Sequence, residues 1–307
     1  MKIKGIITVL FSGVFVSLLN AQPSASFQWV AKMGGTSYDY AMDVAVDASG
    51  NVYTTGYFRN TADFDPGAGT YPMTSAGIND VFITKMDASG NLIWAVQIGG
   101  ADDDFGRGIG LDAAGNVYVS GYFKNNIDFD PGAGTYYLDP SQPSNEYIFL
   151  LKLNTDGQFI WAQLVHNMGM SSPPKTLSSY TDATGVTYMT SCVYGTGIED
   201  IMICRYSNAG ALEWKHVIGG PSGDMPYSVY SDATGVYVTG SFSGTSDFDP
   251  GTSAYNLTSD GWFDVFVLKL SASGDFNWAR QFASSNNLYG YGVTTDLSGN
   301  VYVTGNF

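Results

Sequence analysis

Short apolar runs, separated by turn residues, recur along this chain with a period of two rather than 3.6. Over residues 41–46 the run reads Ala-Met-Asp-Val-Ala-Val, and Met42, Val44 and Val46 alternate with smaller or polar residues. The runs at 51–58 (Asn-Val-Tyr-Thr-Thr-Gly-Tyr-Phe) and 80–85 (Asp-Val-Phe-Ile-Thr-Lys) are apolar or aromatic at almost every position. Such runs predict strands buried on both faces, as when sheets stack on sheets. A fourth type surrounds a tryptophan, as at 92–97 (Leu-Ile-Trp-Ala-Val-Gln) and, at the start, 27–33. Asp-Ala-Ser-Gly at 47–50 and 87–90 and Asn-Thr-Asp-Gly at 154–157 supply the turns. No sustained helical period follows the first 21 residues.

The runs repeat in register. Trp29, Trp94, Trp161, Trp214 and Trp278 are spaced by 65, 67, 53 and 64 residues. Nine places before each closing Trp stands a cation (Lys85, Lys152, Arg205, Lys269), and four places before it a glycine (Gly90, Gly157, Gly210, Gly274). A turn-and-strand cassette, cleanest at Asp112-Ala-Ala-Gly-Asn-Val-Tyr-Val-Ser-Gly-Tyr-Phe123, recurs from Asp47, Asp182, Asp232 and Asp296. Four strands per unit of this length predict an all-β fold, a β-propeller of four-stranded blades. A solenoid, with shorter repeats and fewer strands, ranks behind. The repeats run about 29–94, 94–161, 161–214 and 214–278, with a partial fifth at 278–307. Four units and a part predict an incomplete ring or a fragment of a longer chain.

The pattern Trp-Ala-x-x-x-Gly-Gly, followed by Asp-x-x-Gly-Asn-Val-Tyr-Val-x-Gly-Tyr-Phe, resembles the bacterial β-propeller repeat called SBBP. The unit at 161–214 diverges, with His166-Asn167 where Gly99-Gly100 and Gly219-Gly220 stand elsewhere, and Ser191 in place of the strand glycine. The resemblance implies exported or surface proteins of propeller architecture, often within larger chains, and carries over no catalytic residue.

Charge and composition narrow the partners. The 307 residues carry a formal charge of -15, which argues against a nucleic-acid backbone as ligand. Lys2 and Lys4, the apolar stretch 6–19 and Ala21 before Gln22 predict a cleaved secretory signal at 1–21, with the repeat domain at 22–307. Export then places the protein outside the cell or on its surface. No later stretch is apolar enough to predict a transmembrane segment in the mature chain.

Asp-Phe-Asp-Pro-Gly occurs three times, with carboxylates at Asp63 and Asp65, Asp128 and Asp130, and Asp247 and Asp249. Alternating carboxylates in a tight loop offer hard oxygen ligands, so Ca2+ is the candidate metal. The alternative is a structural loop in which the aspartates cap turn amides while Phe64, Phe129 and Phe248 plug the core. The turn aspartates recur too often to mark one active site and read as caps of their own turns. The cations in apolar strands predict pairing with an aspartate or an exit to water; a cation ring around the channel is the alternative. Cys192 and Cys204, on successive strands, fit either a disulfide, which export permits, or two buried thiols. His166 and His216 read as structural.

No nucleophile, phosphate-loop or metalloprotease motif is present, so the expectation is a binding or scaffold module without catalytic activity, its partner a protein or a carbohydrate. The alternatives are a polysaccharide hydrolase or lyase working at the channel and a structural spacer of a larger adhesin-like protein.

Overall fold

The computed structural model describes residues 27–140, 145–168, 176–194 and 198–306. The expected signal segment 1–21 and the tip of the hairpin between the cysteines, 195–197, lie outside these residues. Among the described residues every regular element is a strand.

Four sheets of four antiparallel strands follow one another along the chain, each strand paired with the next of its sheet. Blade 1 consists of Asp39–Val46, Val52–Phe58, Asp80–Met86 and Leu92–Ile98. Blade 2 consists of Phe105–Leu111, Val117–Lys124, Glu146–Leu153 and Phe159–Asn167. Leu177–Thr181, Thr187–Tyr194, Glu199–Tyr206 and Leu212–Ile218 make blade 3; Asp224–Asp232, Gly235–Phe242, Asp264–Leu270 and Phe276–Phe282 make blade 4. A fifth sheet has two strands, Tyr289–Thr295 and Val301–Asn306. The first strands of successive sheets lie beside one another and form the inner wall. The tryptophan strand is the outermost strand of its sheet. This is a β-propeller arrangement, as the four-run grammar predicts.

The second and third strands carry the core. Glu146–Leu153 is buried at every position, and Val117–Lys124 at all but the last. Tyr53, Val119, Phe123, Phe129, Phe149 and Leu151 join side chains of blades 1 and 2 in one cluster. Fully burying a side chain such as Phe149 contributes roughly 2–3 kcal/mol. No sheet can bury both faces alone, which is why the unit is repeated.

The ends of the arc show this directly. Ile109, Val229 and Val293 occupy one inner-strand position and are 5–7% exposed; Val44, at that position in blade 1, is 59% exposed. Tyr302 is 53% exposed where Tyr53, Tyr118 and Tyr237 are sealed. The sheets do not close into a ring. Residues 27–33, predicted as a strand, form no regular element among the described residues. Only Gly34–Gly35 pairs, with Thr61–Asp63. Trp29 still docks as the other tryptophans do.

Candidate functional site

Each blade seam is held at one end by the repeated residues. The strand registers set the turn aspartate, a tyrosine, a cation and the tryptophan in a row: Tyr118 pairs with Lys152 and Lys152 with Trp161. The Tyr118 hydroxyl donates to Asp112 at 3.1 Å, Lys152 lies 4.8 Å above the Tyr118 ring, and its Nζ is 3.8 Å from Asp112. Lys85 over Tyr53, Arg205 over Tyr188 and Lys269 over Tyr237 repeat the stack at 5.0–5.7 Å. These contacts fix the cations within the sheets and seams. The channel ring of cations is thereby corrected: the third strand is not the inner one. Burial pushes Asp112 up, but bonds from Asn116 and Tyr118 and the charge of Lys152 outweigh it and hold the carboxyl below its ordinary value.

The Asp-Phe-Asp-Pro-Gly loops sit at the opposite end, between the second and third strands of blades 1, 2 and 4. In each, the first aspartate uses Oδ1 twice. Asp63 accepts from the N–H groups of Asp65 (3.0 Å) and Tyr71 (2.8 Å), Asp128 from Asp130 and Tyr136, and Asp247 from Asp249 and Tyr255, at the same distances. Asp65, Asp130 and Asp249 each accept an N–H from the glycine two residues on, at 2.8 Å. Phe64, Phe129 and Phe248 are buried at the core edge. Among the described residues no three acidic, His or Cys side chains converge as a metal group. Each loop also latches onto the glycine pair ahead of its blade: Asp63 pairs with Gly34, Asp128 with Gly99 and Asp247 with Gly219. A Cβ on Gly220 would meet the Thr245 carbonyl oxygen at 2.2 Å, so the latch needs the bare backbone. The divergent unit has neither the glycine pair nor the aspartate loop.

The cysteines take the buried-thiol alternative. Cys192 pairs with Ile201, and Cys204 with Met189, three positions apart along one hairpin. Neighbouring residues of a strand point to opposite faces, so the two sulfurs lie on opposite faces and no disulfide joins them. The proposed bond fails because the register of the hairpin is offset by an odd number of residues. His166 Nδ1 lies 2.9 Å from Lys215 Nζ, and burial first, then that amine, pushes the imidazole down to about 4.

An aromatic row crosses the seam of blades 1 and 2 at the aspartate-loop end, and no repeat pattern pointed to it. Tyr38 stacks on Tyr40 (6.5 Å between centroids) and Tyr40 on Tyr57 (5.0 Å). Tyr57 meets Phe105 of the next blade edge-on at 4.6 Å, and Phe105 meets Tyr122 at 4.9 Å. Arg107 caps the row 4.9 Å above Tyr122 and donates Nε–H to its hydroxyl at 3.0 Å. Tyr38, Tyr40, Tyr57, Arg59, Asn79 and Phe105 line an open cleft of about 270 Å³. The signal in the sequence is an aromatic residue at one first-strand position, Tyr40 and Phe105, opposite the cassette tyrosines Tyr57 and Tyr122, a pattern that Met225 and Ser241 break.

The beta-propeller repeat family SBBP matches residues 28–57, 93–127 and 277–306. An uncharacterized WD repeat-containing protein, L264, of Acanthamoeba polyphaga mimivirus is 24% identical over 86% of this chain and 17% of its own length. The regulatory protein FlaEY of Caulobacter vibrioides is 27% identical over 47% of this chain and 14% of its own. The chain thus spans under one fifth of either relative. Among solved structures, a GH43 β-xylosidase/α-arabinofuranosidase from a compost metagenome is 11% identical at a TM-score of 0.34, covering 90% of this chain and 98% of that one. A GH43_1 enzyme from Xanthomonas citri with xylotriose gives 10% and 0.33, over 86% and 90%. The expectation of a chain without catalytic activity is corrected on this finding: the solved structures it resembles are glycoside hydrolases. At such identity and TM-score the likeness assigns this chain no reaction. The matched repeats, read with the four-stranded sheets that carry them, identify the chain as an SBBP-type β-propeller repeat protein.

Proposed function

We propose that this chain is an exported or cell-surface binding module whose cleft between blades 1 and 2 takes a carbohydrate chain. The observation that carries the reading is the partly exposed row Tyr38, Tyr40, Tyr57 and Phe105, flanked by Arg59 and Asn79. Flat aromatic faces cover the apolar C–H faces of sugar rings, while a guanidinium and an amide bond the hydroxyls. The repeated aspartates and lysines are occupied in holding turns and seams, which leaves the aromatic side chains of the loop end for ligands. Export rests on the N-terminal segment read from the sequence.

Calorimetric titration with neutral oligosaccharides tests the reading. Tyr40→Ala and Tyr57→Ala are expected to weaken binding at least tenfold while the far-UV spectrum stays unchanged. Binding that survives both substitutions overturns the cleft assignment. Release of new reducing ends from a bound polysaccharide favours the hydrolase reading over binding alone. A saturable peptide ligand with no affinity for sugars favours a protein partner.

A further inference from the structure

Two buried carboxylates lie at the seam of blades 1 and 2, each next in sequence to a residue that lines the aromatic cleft. Asp80 follows Asn79, and Asp104 precedes Phe105; both aspartates are fully buried. The Asp104 N–H donates to the Asn79 carbonyl at 2.8 Å and ties the two segments together. Gly99-Gly100 runs between them. A Cβ on Gly99 would come within 2.3 Å of the Asp80 Cγ, and the Gly100 N–H donates to Asp104 Oδ2 at 2.8 Å.

The donors are unequally shared. Asp80 Oδ2 accepts from the Ala76 N–H and the Gln97 amide, while its Oδ1 is buried with no donor. In blade 4 the equivalent Asp264 accepts the Ser284 N–H at Oδ1, 3.2 Å away, and Leu288 stands where Asp104 would be. The second aspartate therefore takes the donor that the first needs. Blades 3 and 4 repeat the pair: a Cβ on Gly219 would meet Asp200 Oδ1 at 2.5 Å and Asp224 Oδ2 at 2.7 Å.

The charges around Asp104 are mostly of its own sign. Asp102 and Asp103 adjoin it in sequence. Glu146 closes the site from the third strand of blade 2, with Oε2 buried and without a donor. Lys124 is the nearby cation, pairing with Glu146 across the strands and giving its backbone N–H to Asp104 Oδ1 at 3.1 Å. At the other seam Ser246 donates to Asp224 Oδ1 at 2.8 Å, and Glu199 adjoins Gly223. Burial, opposed by two N–H bonds and reinforced by Asp80 and Glu146, pushes Asp104 up to about 8. Burial likewise raises Asp80, Glu146 to about 7 and Asp224 to about 6.

We propose that Asp80 and Asp104, and likewise Asp200 and Asp224, each share one proton across a blade seam, with Asp80 Oδ1 as one holder, and that its loss with rising pH loosens the seam at the cleft. Two buried like charges packed at one seam cannot both stay ionised without cost. Because the folded values are raised, the stabilisation is complete below the ordinary carboxylate value of 3.8 and is lost as pH rises through about 8. The seam device stands without a ligand; its coupling to binding rests on the proposed carbohydrate cleft.

Thermal unfolding of the ligand-free chain between pH 5 and 9 tests this. The wild-type Tm is expected to fall by roughly 5 °C or more across that range. Asp80→Asn places an amide donor at the orphaned oxygen and is expected to flatten the fall and to exceed the wild-type Tm at pH 9. Asp264→Asn, at the seam where Leu288 replaces the second aspartate, is expected to keep the wild-type slope. An unchanged slope in Asp80→Asn overturns the proposal. So does a carboxyl 13C titration of the wild-type protein that finds Asp104 ionising near pH 4, a readout that needs no variant to fold. Failure here leaves sugar binding untouched, and failure to bind sugar leaves the seam result standing.

Discussion

Trp161 donates its indole N–H to the carbonyl of Asn208, 3.2 Å away in the next blade, and Lys152 donates to the same oxygen at 3.3 Å. Trp29, Trp94 and Trp214 reach Ala88, Thr155 and Ala272 in the same way at 2.9–3.1 Å. The tryptophan spacing is thus the spacing of inter-blade bonds, and the glycine four residues before each next tryptophan is the floor on which the previous ring lies.

Gly157 shows what that floor requires. Its φ is +78°, and a Cβ would sit 3.1 Å from the Trp94 ring. Gly157→Ala is expected to lose about 2 kcal/mol by denaturant titration, from left-handed strain and lost ring contact together. Gly299 has φ +80° with nothing near its Cβ position, so Gly299→Ala is expected to cost only the backbone part, about 1 kcal/mol. Equal losses at both sites would show that the ring contact contributes nothing.

Lys152 and Asp112 are both buried, at 6% and 4% side-chain exposure. Lys152→Met is expected to destabilise by about 3 kcal/mol, because Asp112 is left as an uncompensated charge. Asp112 is held below its ordinary value, so its contribution is present in full above that value and is lost as pH falls below it, through the lowered value of the folded state. The wild-type protein should therefore approach the variant in stability in strong acid. Arg205 and Glu213 form the more open pair, and Glu213→Gln is expected to change stability by less than about 1 kcal/mol.

The aspartate loops make a sharp prediction about calcium. Oδ1 of Asp63 already closes two backbone bonds, and an asparagine keeps that acceptor. Asp63→Asn is expected to be neutral within about 0.5 kcal/mol, and Asp63→Ala to lose about 1–2 kcal/mol. About 5 mM Ca2+ is expected to leave Tm unchanged. A rise of roughly 3 °C that Asp63→Asn abolishes would mean that the loop is a calcium site.

Burial pushes the Cys204 thiol up to about 12. A thiol-specific disulfide reagent is expected to label neither cysteine in the native protein and both after unfolding in guanidinium. A mass two daltons lighter under non-reducing conditions contradicts the strand register.

Read alone, the residues of this chain determine the strand, the four-run unit and the propeller class, because each follows from local periodicity and from turn chemistry repeated at fixed offsets. Three matters needed the tertiary structure. The face on which each cysteine lies depends on a hairpin register set by the whole sheet. The use of Asp63 Oδ1 depends on where the chain returns at Tyr71. The cleft of Tyr40, Tyr57 and Phe105 and the carboxylates Asp80 and Asp104 at the same seam join residues of two blades whose distance in sequence says nothing of their contact. Local pattern fixes the unit; seam geometry, built by packing unit on unit, decides what the seams can hold.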